Sequence, residues 1–404
     1  MGRPRGFIIV WLLMFLITFA AAMVSPPIPY IIKEFFVEEC ADEAAIEEAS
    51  AAAFGIIMAV GAAALMLGNL FGGFLADILG RRKIVFVSFT VLAFGCAVFS
   101  VAPSLFWLFL ASFIEMFAVG LSSPAFKALV ADYSTKRSRG AAYGTFNLSW
   151  ITAQIPAPLI GGVLSQFLSL RMPFNVAIDI ALLGLFFSLF VVEPRRAPKL
   201  ETEQVDDAPT MKTTMPLKRV IAIFGLTNLL NGLLNGVIGP LMNVFLVFRL
   251  NANPSEFGMV SSLAFGVTTG LVQIPGGKLA DKIGRKPLVL FSFLGAPLVM
   301  GLAMTQSIAQ FTLVVAGICA IGNISSPAVS AWLMDFLPKS KRASASGIMG
   351  MLNGAGRTTG PVIGTAVWNY AMPNVVLPFG VVTLLWLASF PLYLKLAETK
   401  KKIG

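Results

Sequence analysis

Histidine is absent from this chain of 404 residues, and charged residues make up only 12% of it. A soluble domain carries about 25% charged residues, so this chain has too little charge to cover a water-facing surface of its size. The lack of histidine removes the commonest metal ligand and the usual proton-transfer side chain. The three cysteines, Cys40, Cys96 and Cys319, follow no ligand or disulfide spacing. We therefore expect neither an enzyme nor a metal site, and no cofactor.

Hydrophobic residues are abundant instead, at 57% of the chain, and they fall into runs long enough to cross a bilayer. We predict twelve transmembrane windows: Phe7–Ile32, Ala51–Ile78, Ile84–Val101, Leu105–Val130, Ala141–Phe167, Pro173–Val192, Arg219–Phe248, Phe257–Leu279, Leu288–Met304, Ile308–Phe336, Ala343–Tyr370 and Val375–Leu394. The sequence thus predicts an all-α polytopic membrane protein in contact with the lipid bilayer.

The basic residues are concentrated in alternate loops between these windows, and the main exceptions on the other side are Lys33, Arg171 and Arg249. The net charge of +10 is spread over these loops and not gathered on one soluble module, so it does not indicate nucleic-acid binding. Because cytoplasmic loops are enriched in lysine and arginine, we predict that both termini lie in the cytoplasm. The longest loop on the other side is acidic, which suits an external surface. This predicts a multi-pass protein of the inner or plasma membrane.

A polar stretch rich in proline, lysine and acidic residues interrupts the windows in the middle of the chain. We interpret residues 193–217 as a flexible cytoplasmic linker. Residues 1–192 then form an N-terminal six-helix bundle and residues 218–404 a C-terminal six-helix bundle.

The two halves repeat one another. The segment GGFLADILGRRK, which begins at Gly72, recurs 204 residues later as GGKLADKIGRKP, which begins at Gly276. Pro158 recurs as Pro361, an offset of 203 residues. Each period contains six windows, an even number, so both halves have the same orientation in the membrane. This is the parallel-repeat arrangement, whose symmetry axis runs along the membrane normal.

The repeated loop has the form G-x-L-A-D-x-x-G-R-[RK], and at these residues the chain resembles the major facilitator superfamily. The resemblance implies twelve helices in two pseudo-symmetric six-helix bundles. It also implies that the loop charges form a latch that holds one conformation of the transport cycle. The residues to which we carry this role are Gly73, Asp77, Gly80, Arg81, Asp132, Arg139, Asp281, Arg285, Asp335 and Arg342. These bases could alternatively serve only to set the topology.

A second patch narrows the resemblance to the twelve-helix drug/proton antiporters. The segment from Ala157 to Gly162 is close to their motif G-P-x-x-G-G, and Pro158, Gly161 and Gly162 are expected to kink the fifth helix. The chain departs from that family at Ser112, where the antiporter pattern has an arginine. The arginine-assisted proton site of those antiporters is therefore not present in its usual form.

Ionisable residues inside the windows are candidates for function, because a charge at mid-bilayer costs about 3 kcal/mol on insertion scales. With no histidine, proton coupling through a side chain needs a carboxyl group. Glu115 in the fourth window and Asp179 in the sixth are the candidates, and we expect both to be buried.

Polar residues at helical spacing predict a substrate cavity. The candidates on the fifth, seventh and eleventh helices are Asn147, Trp150, Gln154, Asn228, Asn231, Asn235, Asn353 and Arg357. Hydrogen bonding between helices is the alternative explanation of these residues.

Together these features predict a secondary active transporter that works by alternating access. The predicted partners are a small-molecule substrate and protons, and the predicted state is a monomer. Proton-coupled efflux of amphipathic or lipophilic compounds, as in multidrug antiporters, is the function we favour. The chain has no GxxxxGK[ST] loop that would indicate driving by ATP. Two alternatives remain, namely a metabolite uptake symporter or uncoupled facilitator, and a non-transporting receptor or lipid scramblase.

Overall fold

A computed structural model describes residues 5–37, 39–40, 42–134, 139–193, 216–336 and 342–396. All regular elements among them are helical. We number the membrane-crossing helices α1 to α12 and join segments that continue one another across a turn. Most of the predicted linker, residues 194–215, lies outside the described residues.

The first half of the chain supplies six of these helices. Their bounds are Arg5–Met23 with Ile28–Val37 (α1), Glu43–Leu79 (α2), Arg81–Val101 (α3), Leu105–Asp132 (α4), Arg139–Gln154 with Pro156–Phe167 (α5) and Met172–Ser188 (α6).

The second half supplies six more. Their bounds are Leu217–Val244 with the π turn Phe245–Arg249 (α7), Pro254–Val260 with the π turn Ser261–Val267 and Thr268–Ile283 (α8), Arg285–Phe291 with the 3-10 turn Ser292–Gly295 and Ala296–Leu302 (α9), Ile308–Asn323 with Ser326–Phe336 (α10), Arg342–Ala371 (α11), and Val376–Ala388 with Phe390–Leu394 (α12).

Each predicted window coincides with one of these helices. Ten helical stretches of the described residues are long and apolar enough to cross a membrane. The helix α6 is apolar but shorter, and α11 is long enough but carries more polar residues. The predicted all-α polytopic fold is therefore confirmed.

The helix α5 is interrupted at Ile155, immediately before Pro156. Proline at the first position of a helix needs no hydrogen-bond partner for its missing N–H, so Pro156 begins a new segment rather than bending an old one. Pro158 lies inside this second segment. Pro158 lacks the N–H that would bond to the carbonyl oxygen of Gln154, where the first segment ends, so the break at Ile155 lies where the predicted kink is expected to act, one turn before Pro158.

The described chain divides into two compact units. One comprises Met1–Arg196 with Met242–Gly266, and the other comprises Ala197–Leu241 with Val267–Gly404. The end of α7 and the start of α8 thus pack with the first half of the chain.

Within the first unit, α2 and α4 approach at glycines. A side-chain carbon at Gly68 or Gly72 would overlap the backbone of α4, and one at Gly120 would lie 2.5 Å from the carbonyl oxygen of Leu65. In lipid, the hydrophobic effect does not drive helices together, so their association depends on van der Waals packing. Small residues allow the close approach that this packing needs.

Aromatic side chains fill the core of the second unit. The ring of Trp332 lies 6.0 Å from that of Phe224 and stacks on Tyr393 at 6.1 Å. All three side chains are buried. This cluster fixes α7, α10 and α12 against one another.

Candidate substrate and proton sites

Gly80 and Gly284 occupy equivalent positions of the repeat and adopt the same backbone conformation. Their φ angles are 96° and 99°. This conformation is open to glycine and is strained for residues with a side chain. The glycine in each copy of the loop motif is therefore required by the sharp turn between two helices.

Each motif loop is held by an ion pair within its own unit. Arg81 pairs with Asp132 at the end of α4, and Arg285 pairs with Asp335 at the end of α10. All four side chains are partly shielded from solvent. These predicted latch residues are thus brought together as two equivalent pairs.

The remaining predicted latch residues are placed differently. Asp77 is exposed near the end of α2, and a side-chain carbon at Gly73 would lie at an ordinary contact distance, 3.8 Å, from the Cβ of Pro124. The structure describes the backbone but not the side chains of three further candidates, Arg139, Asp281 and Arg342.

Sequence reasoning missed the groups that complete these loops. The backbone N–H of Arg81 donates to Glu193 Oε1 at 2.6 Å, and the Arg82 guanidinium donates to the carbonyl oxygen of Leu189 at 2.7 Å. In the second half, the ammonium of Lys286 donates to the carbonyl oxygens of Leu394 and Leu396, both at 2.8 Å. The end of α6 in the first half corresponds to the end of α12 in the second half, and aligning the two halves there could have revealed these contacts.

Glu115 is buried on α4, with 2% of its surface exposed. Its Oε1 atom has no hydrogen-bond partner among the described residues. The helix α3 approaches it at Gly95, where a side-chain carbon would lie 2.9 Å from the Glu115 backbone nitrogen, and the neighbouring Cys96 is buried as well. The predicted burial of Glu115 is confirmed.

Asp179 is exposed on α6, so the prediction that it is buried was wrong. The buried face of α6 includes Phe174 and Ala177, whereas Asn175 and Asp179 lie on a face that is exposed. The sixth window is apolar on nearly all sides, so its sequence does not reveal which face is covered by neighbours.

Three of the predicted cavity residues lie on α5. Asn147 and Trp150 are exposed, and Gln154 is half-buried at the end of the first segment. Their spacing of three and four residues places them on one side of the helix. They remain candidates for contact with a substrate.

The other cavity candidates meet where α7 contacts α11. A side-chain carbon at Gly232 would overlap the backbone of Asn353, and one at Gly236 would lie 2.9 Å from the Cα atom of Gly360. The Asn353 side chain donates to the carbonyl oxygen of Asn228 at 3.2 Å. The structure therefore brings the asparagines of the two helices together.

Arg357 follows Asn353 by one turn of α11 and is exposed. Within the part of the chain that the structure describes, its guanidinium has neither an ion pair nor a hydrogen bond. Arg357 is therefore an intramembrane cation whose guanidinium N–H groups are available to a ligand.

The glycines of the antiporter-like motif make close contacts within the first unit. A side-chain carbon at Gly161 would overlap the carbonyl oxygen of Met23 on α1, and one at Gly162 would overlap that of Pro254 on α8. Gly258 on α8 in turn lies against the backbone of Pro158. These residues serve close packing between helices.

A polar clasp, missed by the sequence analysis, joins the end of α7 to the first half. The Arg249 guanidinium lies 3.2 Å from the Glu47 carboxylate, and the Tyr30 hydroxyl donates to the carbonyl oxygen of Ala252 at 2.6 Å. We call Tyr30, Glu47, Arg249 and Ala252 the clasp. No sequence signal links residues so far apart along the chain.

Comparison with known proteins settles the family. The model of the Major Facilitator Superfamily matches residues 10–228 and 224–403. The chain belongs to the major facilitator superfamily. It is a multi-pass membrane protein of a family of transporters rather than enzymes, as the sequence motif predicted.

Relatives and solved structures of this superfamily cover nearly the whole chain. The "Multidrug resistance protein MdtG" of Escherichia coli O9:H4 (strain HS) is 25% identical over 380 residues, which cover 92% of this chain and 90% of that protein. The fold is similar to that of a D-xylose–proton symporter, with a TM-score of 0.78 at 17% identity, over 96% of both chains. The nucleoside transporter NupG gives a TM-score of 0.72 at 16% identity, over 96% of this chain and 98% of that one.

Proposed function

We propose that this chain is a proton-coupled secondary transporter that exports amphipathic or lipophilic compounds by alternating access. The resemblance to MdtG supports the export of such compounds. The observation that supports proton coupling is the buried carboxyl group of Glu115, whose Oε1 lacks a hydrogen-bond partner among the described residues.

An ionised carboxylate in this place would be a buried charge without a partner, which costs several kcal/mol. A bound proton removes the charge, so the apolar contact of α3 with α4 favours the neutral acid. Release of the proton then requires a conformation in which water or a cation reaches Glu115. This links the protonation of Glu115 to the conformation of the protein, which is what coupling requires.

The two halves, residues 1–192 and 218–404, are proposed to act as the two moving bundles, with both termini in the cytoplasm and a single chain as the working unit. The ion pairs of Arg81 with Asp132 and of Arg285 with Asp335 are proposed to stabilise the loops that move between conformations. The clasp is proposed to lie on the external side.

Proton flux in proteoliposomes that contain a pH-sensitive dye tests the role of Glu115. A panel of lipophilic cations, neutral amphiphiles and anionic amphiphiles is added in turn to wild type, Glu115→Gln and Asp179→Asn. We expect substrate-dependent proton flux in wild type and its loss in Glu115→Gln, because the glutamine amide does not titrate and cannot take up and release a proton during the cycle. Asp179→Asn is expected to retain at least half of the flux, since Asp179 is exposed and its ionised form carries no desolvation cost comparable to that of Glu115.

Persistence of the flux in Glu115→Gln would refute the role of this carboxyl group. Substrate movement without any proton flux in wild type would indicate an uncoupled facilitator instead of a coupled exporter.

A further inference from the structure

The contact of α7 with α11 determines which of their residues share a side. Gly232 lies against Asn353, Gly236 against Gly360 and Val237 against Gly364, so the two helices run in the same direction. Each residue advances about 100° around a helix. When two parallel helices pack side by side, the residue before a contact position on one helix and the residue after a contact position on the other helix lie on the same side of the pair. Asn231 and Asn235 therefore share a side with Arg357.

The same side of α11 is exposed and polar. Ser346, Gly350 and Arg357 are exposed and Asn353 is half-buried, and their spacing of four, three and four residues places them in one stripe. The opposite side of α11 exposes Ile348, Met351, Val362 and Tyr370, among others. Apolar residues suit contact with lipid, whereas an intramembrane arginine belongs on a side that faces water or a ligand.

Asn231 presents a donor on this side as well, and Asn235 orients it. The Asn235 amide donates to the backbone oxygen of Asn231 at 2.7 Å and to its Oδ1 at 2.6 Å. The Asn231 amide nitrogen donates to no group in the described chain. Gly236 on α7 contacts Gly356 and Gly360 on α11, the residues that flank Arg357. Along the helix axes, Arg357 therefore lies within about one helical turn of Asn231 and Asn235.

We propose that Asn231 and Arg357, with Asn235 orienting the Asn231 side chain, form a binding site for the anionic group, a carboxylate or sulfonate, of an amphipathic substrate. This inference rests on the proposed transport function and names the substrate class. A guanidinium holds such a group with two parallel hydrogen bonds. It equally disfavours a cation, because no carboxylate of the described residues neutralises it.

Three fluorescent probes with one aromatic group test this site: dansylglycine, an anion at neutral pH, dansylamide, which is neutral, and dansylcadaverine, a cation. Binding is titrated to the purified full chain in lipid nanodiscs without any gradient. We expect wild type to bind dansylglycine at least tenfold more tightly than dansylcadaverine. Arg357→Gln is expected to weaken the binding of dansylglycine about ten- to hundredfold, which is the effect of losing a hydrogen bond to a charged group.

Controls separate this site from a loss of folding. Dansylamide binding and the melting temperature of Arg357→Gln are expected to match wild type, and Arg357→Lys is expected to recover part of the anion preference. Thr359→Val, on the opposite, apolar side of α11, is expected to leave all three affinities within about twofold.

Absence of an anion preference in wild type, its persistence in Arg357→Gln, or no recovery in Arg357→Lys would overturn the proposal. Proton flux without an anion preference would refute the anion site and leave the proposed proton coupling intact. An anion preference without proton flux would defeat the proposed coupling alone, since the titration uses no gradient.

Discussion

At the scale of single residues, the surroundings of a glycine matter more than its presence in a motif. The helix α5 contains both extremes. Gly144 has open space around its Cα, whereas a side-chain carbon at Gly162 would overlap the carbonyl oxygen of Pro254. The obstacle is backbone, which cannot turn aside as a flexible side chain can. Gly162 is therefore required for this contact, while Gly144 is replaceable.

The pair offers a matched test of this requirement. Gly162→Ala is expected to lower the melting temperature of the detergent-solubilised protein, because overpacking costs about 1–3 kcal/mol. Gly144→Ala is expected to be neutral or slightly stabilising, since alanine favours a helix over glycine by about 0.5–1 kcal/mol. Thermal unfolding followed by intrinsic fluorescence measures both, and equal melting temperatures would contradict the assigned contact.

At the scale of elements, the end of α7 and the start of α8 are held by the first half of the chain. The Glu47–Arg249 ion pair and the hydrogen bond of Tyr30 keep Ala252 buried at 3% exposure. If this clasp opens during transport, weakening it should raise the fraction of time for which Ala252 is accessible. A partly exposed ion pair contributes about 1 kcal/mol at most, so the expected change is severalfold.

Cysteine labelling measures this opening. In a Cys40→Ser background, in which Cys96 and Cys319 are buried, Ala252→Cys is reacted with a membrane-impermeant maleimide. Adding Glu47→Gln is expected to accelerate labelling about threefold to tenfold. Glu43→Gln, an exposed glutamate one turn earlier on α2, is the control and should have no effect. Equal rates in the two variants would show that the ion pair does not hold the clasp closed.

At the scale of the whole molecule, the sequence predicted what is local or repeated. Hydropathy alone located all twelve helices, and the repeat placed Gly80 and Gly284 in equivalent turns. It did not predict the exposure of Asp179 or the Glu47–Arg249 pair. Both depend on which helix faces meet, and a nearly uniform apolar helix carries no signal for that. The break of α5 at Ile155 lies one turn before Pro158, but the sequence did not show that Pro156 begins the next segment.

A proton gradient is proposed to drive transport by the whole molecule, and uphill accumulation of a charged substrate measures this drive. Proteoliposomes with an acidic interior receive 8-anilinonaphthalene-1-sulfonate or ethidium, whose permanent charges prevent passive redistribution with pH. We expect wild type to accumulate one of them up to about tenfold per pH unit for each proton exchanged. The accumulation should vanish with nigericin and in Glu115→Gln. Equilibration to equal concentrations in wild type, with or without the pH gradient, would rule out proton-driven export and identify a facilitator.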